Sequence, residues 1–176
     1  MIETDTQARA ALLRAAAAAL AEGGADGMVV ETMADPEEAK IALRAAAVTG
    51  LPVVGCMTFD SGADKDRTMM GTNVTQAAEA LAEAGADMMG ANCTLNSSDT
   101  IDLTKELRAA TDRPLLVQPN AGKPVSSEGI TYYEQTPAEF AADAKEIHAA
   151  GADMIGGCCG TTPEFIREVK AVLSNS

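Results

Sequence analysis

The chain has 176 residues, enough for one domain with a sizeable core. Its 13 Lys and Arg against 26 Asp and Glu leave a net charge of −13, which argues against nucleic acid or an anionic membrane as partner. Aromatic residues are 3% with no Trp, which argues against base-stacking surfaces, and a hydrophobic content of 47% excludes a disordered chain.

In chain order, the acidic opening Met1-Ile2-Glu3-Thr4-Asp5 is unlike a signal peptide, and an Ala-rich helical pattern follows over residues 12–22. No apolar run is long enough to span a bilayer, so the chain reads as cytoplasmic. The uniformly apolar run Met28-Val29-Val30 predicts a buried strand. A helix is predicted over 36–47, with Asp35 ahead of Pro36 as its start. A strand over 51–57 opens on Leu51-Pro52, where proline costs no ladder bond. Next come a helix over 77–83, the strand Met88-Met89-Gly90, a helix over 99–110 and a strand over 113–117. Residues 119–136 read as irregular, before a helix over 140–149 entered through Thr136-Pro137. The strand Met154-Ile155-Gly156 and a helix from Thr161-Thr162-Pro163 to about residue 172 close the chain. Five strands alternating with six helices predict an α/β fold with a parallel sheet. That pattern fits either an open doubly wound sheet or part of a (β/α)8 barrel.

An internal repeat points to the site. Gly24-Ala25-Asp26, Gly85-Ala86-Asp87 and Gly151-Ala152-Asp153 recur at intervals of 61 and 66 residues. Each follows a helical segment and precedes a short apolar run, and the Gly suits a helix C-cap. Five residues past Asp26 is Glu31; five and six past Asp87 are Asn92 and Cys93; five and six past Asp153 are Cys158 and Cys159. In a parallel α/β fold these C-terminal strand ends converge on one face, where ligands bind. Three thiols arriving together suit Zn2+, with a fourth position open. Adjacent Cys158 and Cys159 would point to opposite sides of an ideal strand, but Gly156, Gly157 and Gly160 let the backbone turn. Against this stands a redox dithiol at Cys158–Cys159. Cys56 reads as a core residue, His148 as a surface residue in a helix's last turn, and the Met residues at 28, 57, 69, 70, 88, 89 and 154 mostly as core filler. Glu31 competes with Asp35 as the cap of the next helix. No strand runs into a G-x-G-x-x-G loop or a P-loop lysine, which disfavours an open sheet binding a phosphate cofactor.

Gly90-Ala91-Asn92-Cys93, Gln118-Pro119-Asn120-Ala121-Gly122 and Gly156-Gly157-Cys158-Cys159-Gly160-Thr161-Thr162-Pro163 carry a resemblance. They are similar to the homocysteine-binding domain of the zinc-dependent homocysteine S-methyltransferases, over about residues 10–173. The resemblance implies a partial (β/α)8 TIM barrel whose five strands are the fourth to the eighth, with helices outside. Residues 1–176 would be a single domain, the C-terminal part of a barrel lacking its first three βα units. It implies Zn2+ on Cys93, Cys158 and Cys159, the homocysteine amino group on Glu31, and substrate contacts at Asn92 and Asn120. No catalytic side chain is expected beyond the zinc site, and the expected reaction is methyl transfer to the homocysteine thiolate, giving methionine. Thr32 stands where the betaine-dependent branch has Tyr, which resembles the methionine-synthase branch. Cobalamin or methyltetrahydrofolate would then be the methyl donor, supplied elsewhere. The alternative is a non-catalytic zinc- and thiol-binding half-barrel or truncated product, self-associating or completed by an N-terminal half-barrel partner.

Overall fold

The computed structural model describes residues 2–127 and 129–174. Helix α1 (Ile2–Glu22) is followed by β1 (Met28–Met33), α2 (Pro36–Ala47), β2 (Val53–Met57), α3 (Val74–Glu83), β3 (Met88–Asn96) and α4 (Ser97–Ala110). Then come β4 (Leu115–Asn120), a hairpin of β5 (Pro124–Ser127) and β6 (Ile130–Tyr133), α5 (Pro137–Ala149), β7 (Met154–Ile155) and α6 (Pro163–Leu173). Strands β1-β2-β3-β4-β7 form one sheet in that order, and every pair is parallel. Chain order equals spatial order, as in a barrel wall; a doubly wound sheet would reverse at a switch point.

The helices are stopped and started by the residues expected. Asp35 caps α2, its side chain accepting the Glu37 amide at 2.9 Å, which leaves Glu31 free of that role. Asn73 and Thr136 open α3 and α5 with reciprocal capping boxes, Thr136 with Glu139. The larger core cluster runs from Met28 through Leu43, Phe59, Leu81 and Met89 to Leu115, between α2–α4 and the sheet. A smaller one joins Ala121, Phe140 and Phe165, the two rings meeting edge to face at 5.5 Å.

The repeat has a structural meaning. Asp87 Oδ2 accepts the Val53 amide at 2.8 Å, and Asp153 Oδ2 accepts the Leu115 amide at 2.9 Å. Each Asp lies just before its own strand and satisfies the first amide of the preceding strand, which opens after a proline. Asp26 is the third copy, at the outer edge of β1, and makes no such bond among the described residues. Beside that edge, α1 and β1 enclose a groove of about 280 Å³ lined by Leu13, Ala17, Leu20, Met28, Val30 and Met33. Leu20 is 58% and Val29 53% exposed there.

Four expectations are corrected. The stretch 119–136 is mostly ordered: β4 runs to Asn120, and the β-forming residues around Gly129 pair as the β5–β6 hairpin. The long irregular segment is instead 58–73, held by short antiparallel bridges of Arg67 with Ser61 and Asn73. Helix α1 begins at Ile2, well ahead of residue 12, and β1 and β3 run past their apolar starts to Met33 and Asn96. Met28, Met57 and Met89 are core, whereas Met69, Met70 and Met154 are 71%, 64% and 52% exposed, the first two on the 58–73 loop and the third on an edge strand. Among the described residues no helix is long and apolar enough to cross a membrane.

Candidate metal centre

Strand ends deliver the thiols, and left-handed backbone aims them. In β3, Cys93 and Thr94 have φ of 61° and 55°, and the β3–β4 register slips between Asn92 and Asn96. The same device recurs six residues past Asp26, where Thr32 has φ of 63° and the β1–β2 register slips. Such conformations cost energy and persist where surrounding contacts impose them.

The segment after β7 is tied to the end of β4. The Cys158 amide donates to Pro119 O at 2.9 Å, the Cys159 amide to Asn120 Oδ1 at 3.0 Å, and the Ala121 amide to Cys159 O at 2.9 Å. Thr161 closes the turn with two bonds to Cys158 O, at 3.2 Å from its amide and 2.7 Å from its hydroxyl. A side chain at Gly157 would strike Thr161, with a Cβ only 2.5 Å from its methyl group, so this turn admits only glycine there. Both adjacent cysteines thereby reach one side.

Cys93 Sγ lies 3.8 Å from Cys159 Sγ, Cys158 Sγ lies 4.0 Å from Cys159 Sγ, and all three are within 4.8 Å of one another. Tetrahedral zinc with sulfur ligands at about 2.3 Å requires sulfurs about 3.8 Å apart, so the donor set fits. The chemistry fits as well. Burial, and then the neighbouring sulfurs of Cys93 and Cys159, push the Cys158 thiol up to about 12. Three sulfurs this close resist joint ionisation, and a divalent cation removes that penalty. Cys56 takes no part. It is fully buried in β2, and burial together with the charge of Glu31 pushes its thiol up to about 12, as suits an inert core cysteine.

Asn92 links β1 to the cluster. Its Oδ1 accepts the Thr32 amide at 2.8 Å, and its Nδ2 donates to Thr32 Oγ1 at 2.8 Å and approaches Cys158 Sγ at 4.0 Å. Asn120 is buried with its Oδ1 committed to Cys159. Glu31 is exposed on β1, one residue before Thr32, and no described residue binds its carboxylate. The structure therefore brings Asn92 and Asn120 against the cysteines and leaves Glu31 open at the end of β1, two strands from β3. His148 stays in the last turn of α5, its Nδ1 3.0 Å from Ala152 O.

One neighbour escaped the sequence reading. Tyr133, at the end of β6, lies close to the cluster, and burial first and then the neighbouring cysteines raise its phenol above the usual range. It lies inside the stretch taken as irregular. The available signal was the rarity of aromatics: this is one of two Tyr in the chain.

A parallel sheet in barrel order with three convergent thiols defines a class, and the comparisons name it. The family model for homocysteine S-methyltransferase matches residues 2–173, and the chain belongs to that family. Methionine synthase of Mycobacterium tuberculosis is 35% identical over 167 residues, covering 91% of this chain and 14% of the relative. Homocysteine S-methyltransferase YbgG of Bacillus subtilis is 34% identical over 155 residues, covering 87% of this chain and 48% of the relative. The apo crystal structure of the homocysteine methyltransferase MmuM from Escherichia coli superposes with a TM-score of 0.76 at 26% identity, over 95% of this chain and 57% of that one. Its metallated form gives 0.74 at 27% identity, over 94% and 51%. The chain thus spans about half the length of YbgG and of MmuM, and far less of the mycobacterial relative. The carboxyl transferase domain of Rhizobium etli pyruvate carboxylase, at 16% identity and a TM-score of 0.63, shares the fold alone.

Proposed function

We propose that this chain is the zinc-holding part of a homocysteine S-methyltransferase barrel, its strands being the fourth to the eighth, and that the completed barrel methylates homocysteine to methionine. The observation that carries the reading is the set of three sulfurs at tetrahedral spacing delivered by two barrel strand ends, those of β3 and β7. Family membership and the metallated MmuM relative support it. Cys93, Cys158 and Cys159 would hold Zn2+, whose Lewis acidity lowers the pKa of a substrate thiol and leaves it nucleophilic at neutral pH.

The chain's own residues do the rest. Glu31, exposed and without an ion-pair partner among the described residues, holds the substrate α-ammonium. Asn92 keeps β1 and Cys158 in fixed relation, so the ammonium and sulfur positions are set together. Asn120 holds Cys159 by accepting its backbone amide. The thiol proton leaves to solvent. The sulfur then attacks the donor's methyl carbon in line, the S–CH3 bond forming as the bond to the leaving group breaks. Alignment of sulfur and methyl supplies much of the rate. Thr32 and the methionine synthase relative favour cobalamin or methyltetrahydrofolate as the donor, delivered by another domain or protein.

The open β1 edge, the unmatched Asp26 and the exposed Leu20 and Val29 support the view that further βα units complete the barrel. The test is methionine formation from homocysteine and each candidate donor, with this chain alone and co-expressed with the βα units that precede the matched region in MmuM. The proposal expects turnover only in the completed barrel. No turnover in a folded, completed barrel with any donor would contradict it.

A further inference from the structure

We infer that Thr32 is a positioning residue for the three-sulfur cluster: its backbone amide and hydroxyl lock the Asn92 carboxamide so that the NH2 group faces the Cys158 sulfur. The inference rests on the metal reading above and deepens it.

Thr32 is β-branched, yet its φ is 63°, a left-handed backbone that such residues rarely adopt. The strain falls where the β1–β2 register slips, between the pairs Val30 with Gly55 and Met33 with Met57. Past the slip, Met33 O accepts the Thr58 amide at 2.8 Å, so the chain is fixed on both sides. The Thr32 amide leaves the ladder and reaches across β2 to Asn92 of β3, 60 positions away in the chain. Such a conformation persists only where surrounding contacts impose it, and the two bonds to Asn92 are those contacts.

The pair of bonds also decides which way round Asn92 sits. A backbone N–H can only donate, so the atom 2.8 Å from the Thr32 nitrogen is the Asn92 carbonyl oxygen and not its NH2. The NH2 group is then on the other branch. One of its hydrogens goes to Thr32 Oγ1 at 2.8 Å, and the other remains for Cys158 Sγ, 4.0 Å away. Asn92 is only 2% exposed, so turning its carboxamide over would set two donors against each other with no water to separate them. Three thiolates on one Zn2+ leave a net negative charge, and a neutral N–H aimed at one sulfur offsets it without adding a competing cation. The slip in β1 thus has a use at β7: it orients the donor that meets Cys158.

The experiment compares the full chain with Thr32→Val and Thr32→Ser. Valine keeps the β-branched shape and the backbone amide and removes the hydroxyl, whereas serine keeps the hydroxyl. Thr32 is itself exposed, so neither change touches the core, and thermal melting of the metal-free chains checks that each is folded. Zinc affinity is measured by competition with a chromophoric chelator, and the sulfur-to-metal charge-transfer band is recorded after cobalt substitution. The expected result is zinc binding about 10-fold weaker in Thr32→Val, within the range for lost outer-shell partners, with a shifted cobalt band. Thr32→Ser should restore both. Equal affinity and an identical band in Thr32→Val and the wild type would overturn the inference and leave the metal reading standing. Weaker zinc binding with an unshifted band would make Thr32 a merely structural residue and overturn it as well. A wild-type chain that takes up neither zinc nor cobalt would overturn the metal reading and this inference with it.

Discussion

The two ends of the sheet differ in how their groups are satisfied. From β3 to β7, each strand finishes its neighbour: Asp87 and Asp153 take up the first amides of β2 and β4, and the loop after β7 is bonded to the end of β4. Phe140 and Phe165 seal that side with a core of their own. At β1 the same parts are present without partners. Asp26 sits at the open edge, Leu20 and Val29 are exposed, and Glu31 has no counterion among the described residues. The difference teaches that the cysteine-bearing side of the sheet satisfies its own polar groups and seals its own core, while the β1 edge leaves a strand side and apolar side chains open.

Four tests break or sharpen that contrast. The largest effect belongs to the sealed core. Phe140→Ala is expected to destabilise by about 3–5 kcal/mol in denaturant unfolding, whereas Leu20→Ala at the open face stays within about 0.5 kcal/mol. Next, Cys93→Ser removes one of three ligands and should weaken zinc by at least about 100-fold in chelator competition, more than the loss of an outer-shell partner. Glu31→Gln, on the unfinished side, should leave zinc affinity unchanged in the same assay.

Third, the repeat predicts unequal costs for one chemical change. Asp87→Ala and Asp153→Ala each orphan a strand-opening amide and should cost about 1–3 kcal/mol. Asp26→Ala should cost less than about 0.5 kcal/mol in this chain. Equal costs at all three would remove the basis for treating Asp26 as an unmatched copy.

The smallest effect is at the α5 capping box. Thr136→Ala should cost about 1 kcal/mol. Glu139 accepts the Thr136 amide at 2.9 Å and hydroxyl at 2.7 Å, bonds that hold its pKa below the usual 4.5. A carboxyl lowered by folding stabilises the fold above that value and loses its contribution as pH falls below 4.5 through the folded pKa. Acid titration of stability should therefore be shallower in the Thr136→Ala variant.

Much of the site was legible because the repeat is a count along the chain. Five and six residues past each Asp fell on Glu31, Asn92, Cys93, Cys158 and Cys159, and the sheet places these at the ends of alternate strands. Counting says nothing of backbone handedness. The left-handed residues Thr32, Cys93 and Thr94 carry no Gly or Asn to announce them, so the register slips that aim the thiols were invisible. The β5–β6 hairpin was hidden because its pairing depends on two short, largely exposed strands with weak apolar alternation. Tyr133 was lost with it. The exposed methionines misled for a further reason: Met at 69 and 70 looks like core by composition alone, and only the path of the 58–73 loop turns it outward.

The central claim is that three sulfurs of this chain hold one zinc ion. X-ray absorption at the zinc edge, on the purified chain loaded with one equivalent, tests it most directly. The account predicts a shell of three sulfurs at about 2.3 Å, falling to two in Cys93→Ser. A shell of oxygen and nitrogen alone, or one unchanged by that substitution, would contradict it.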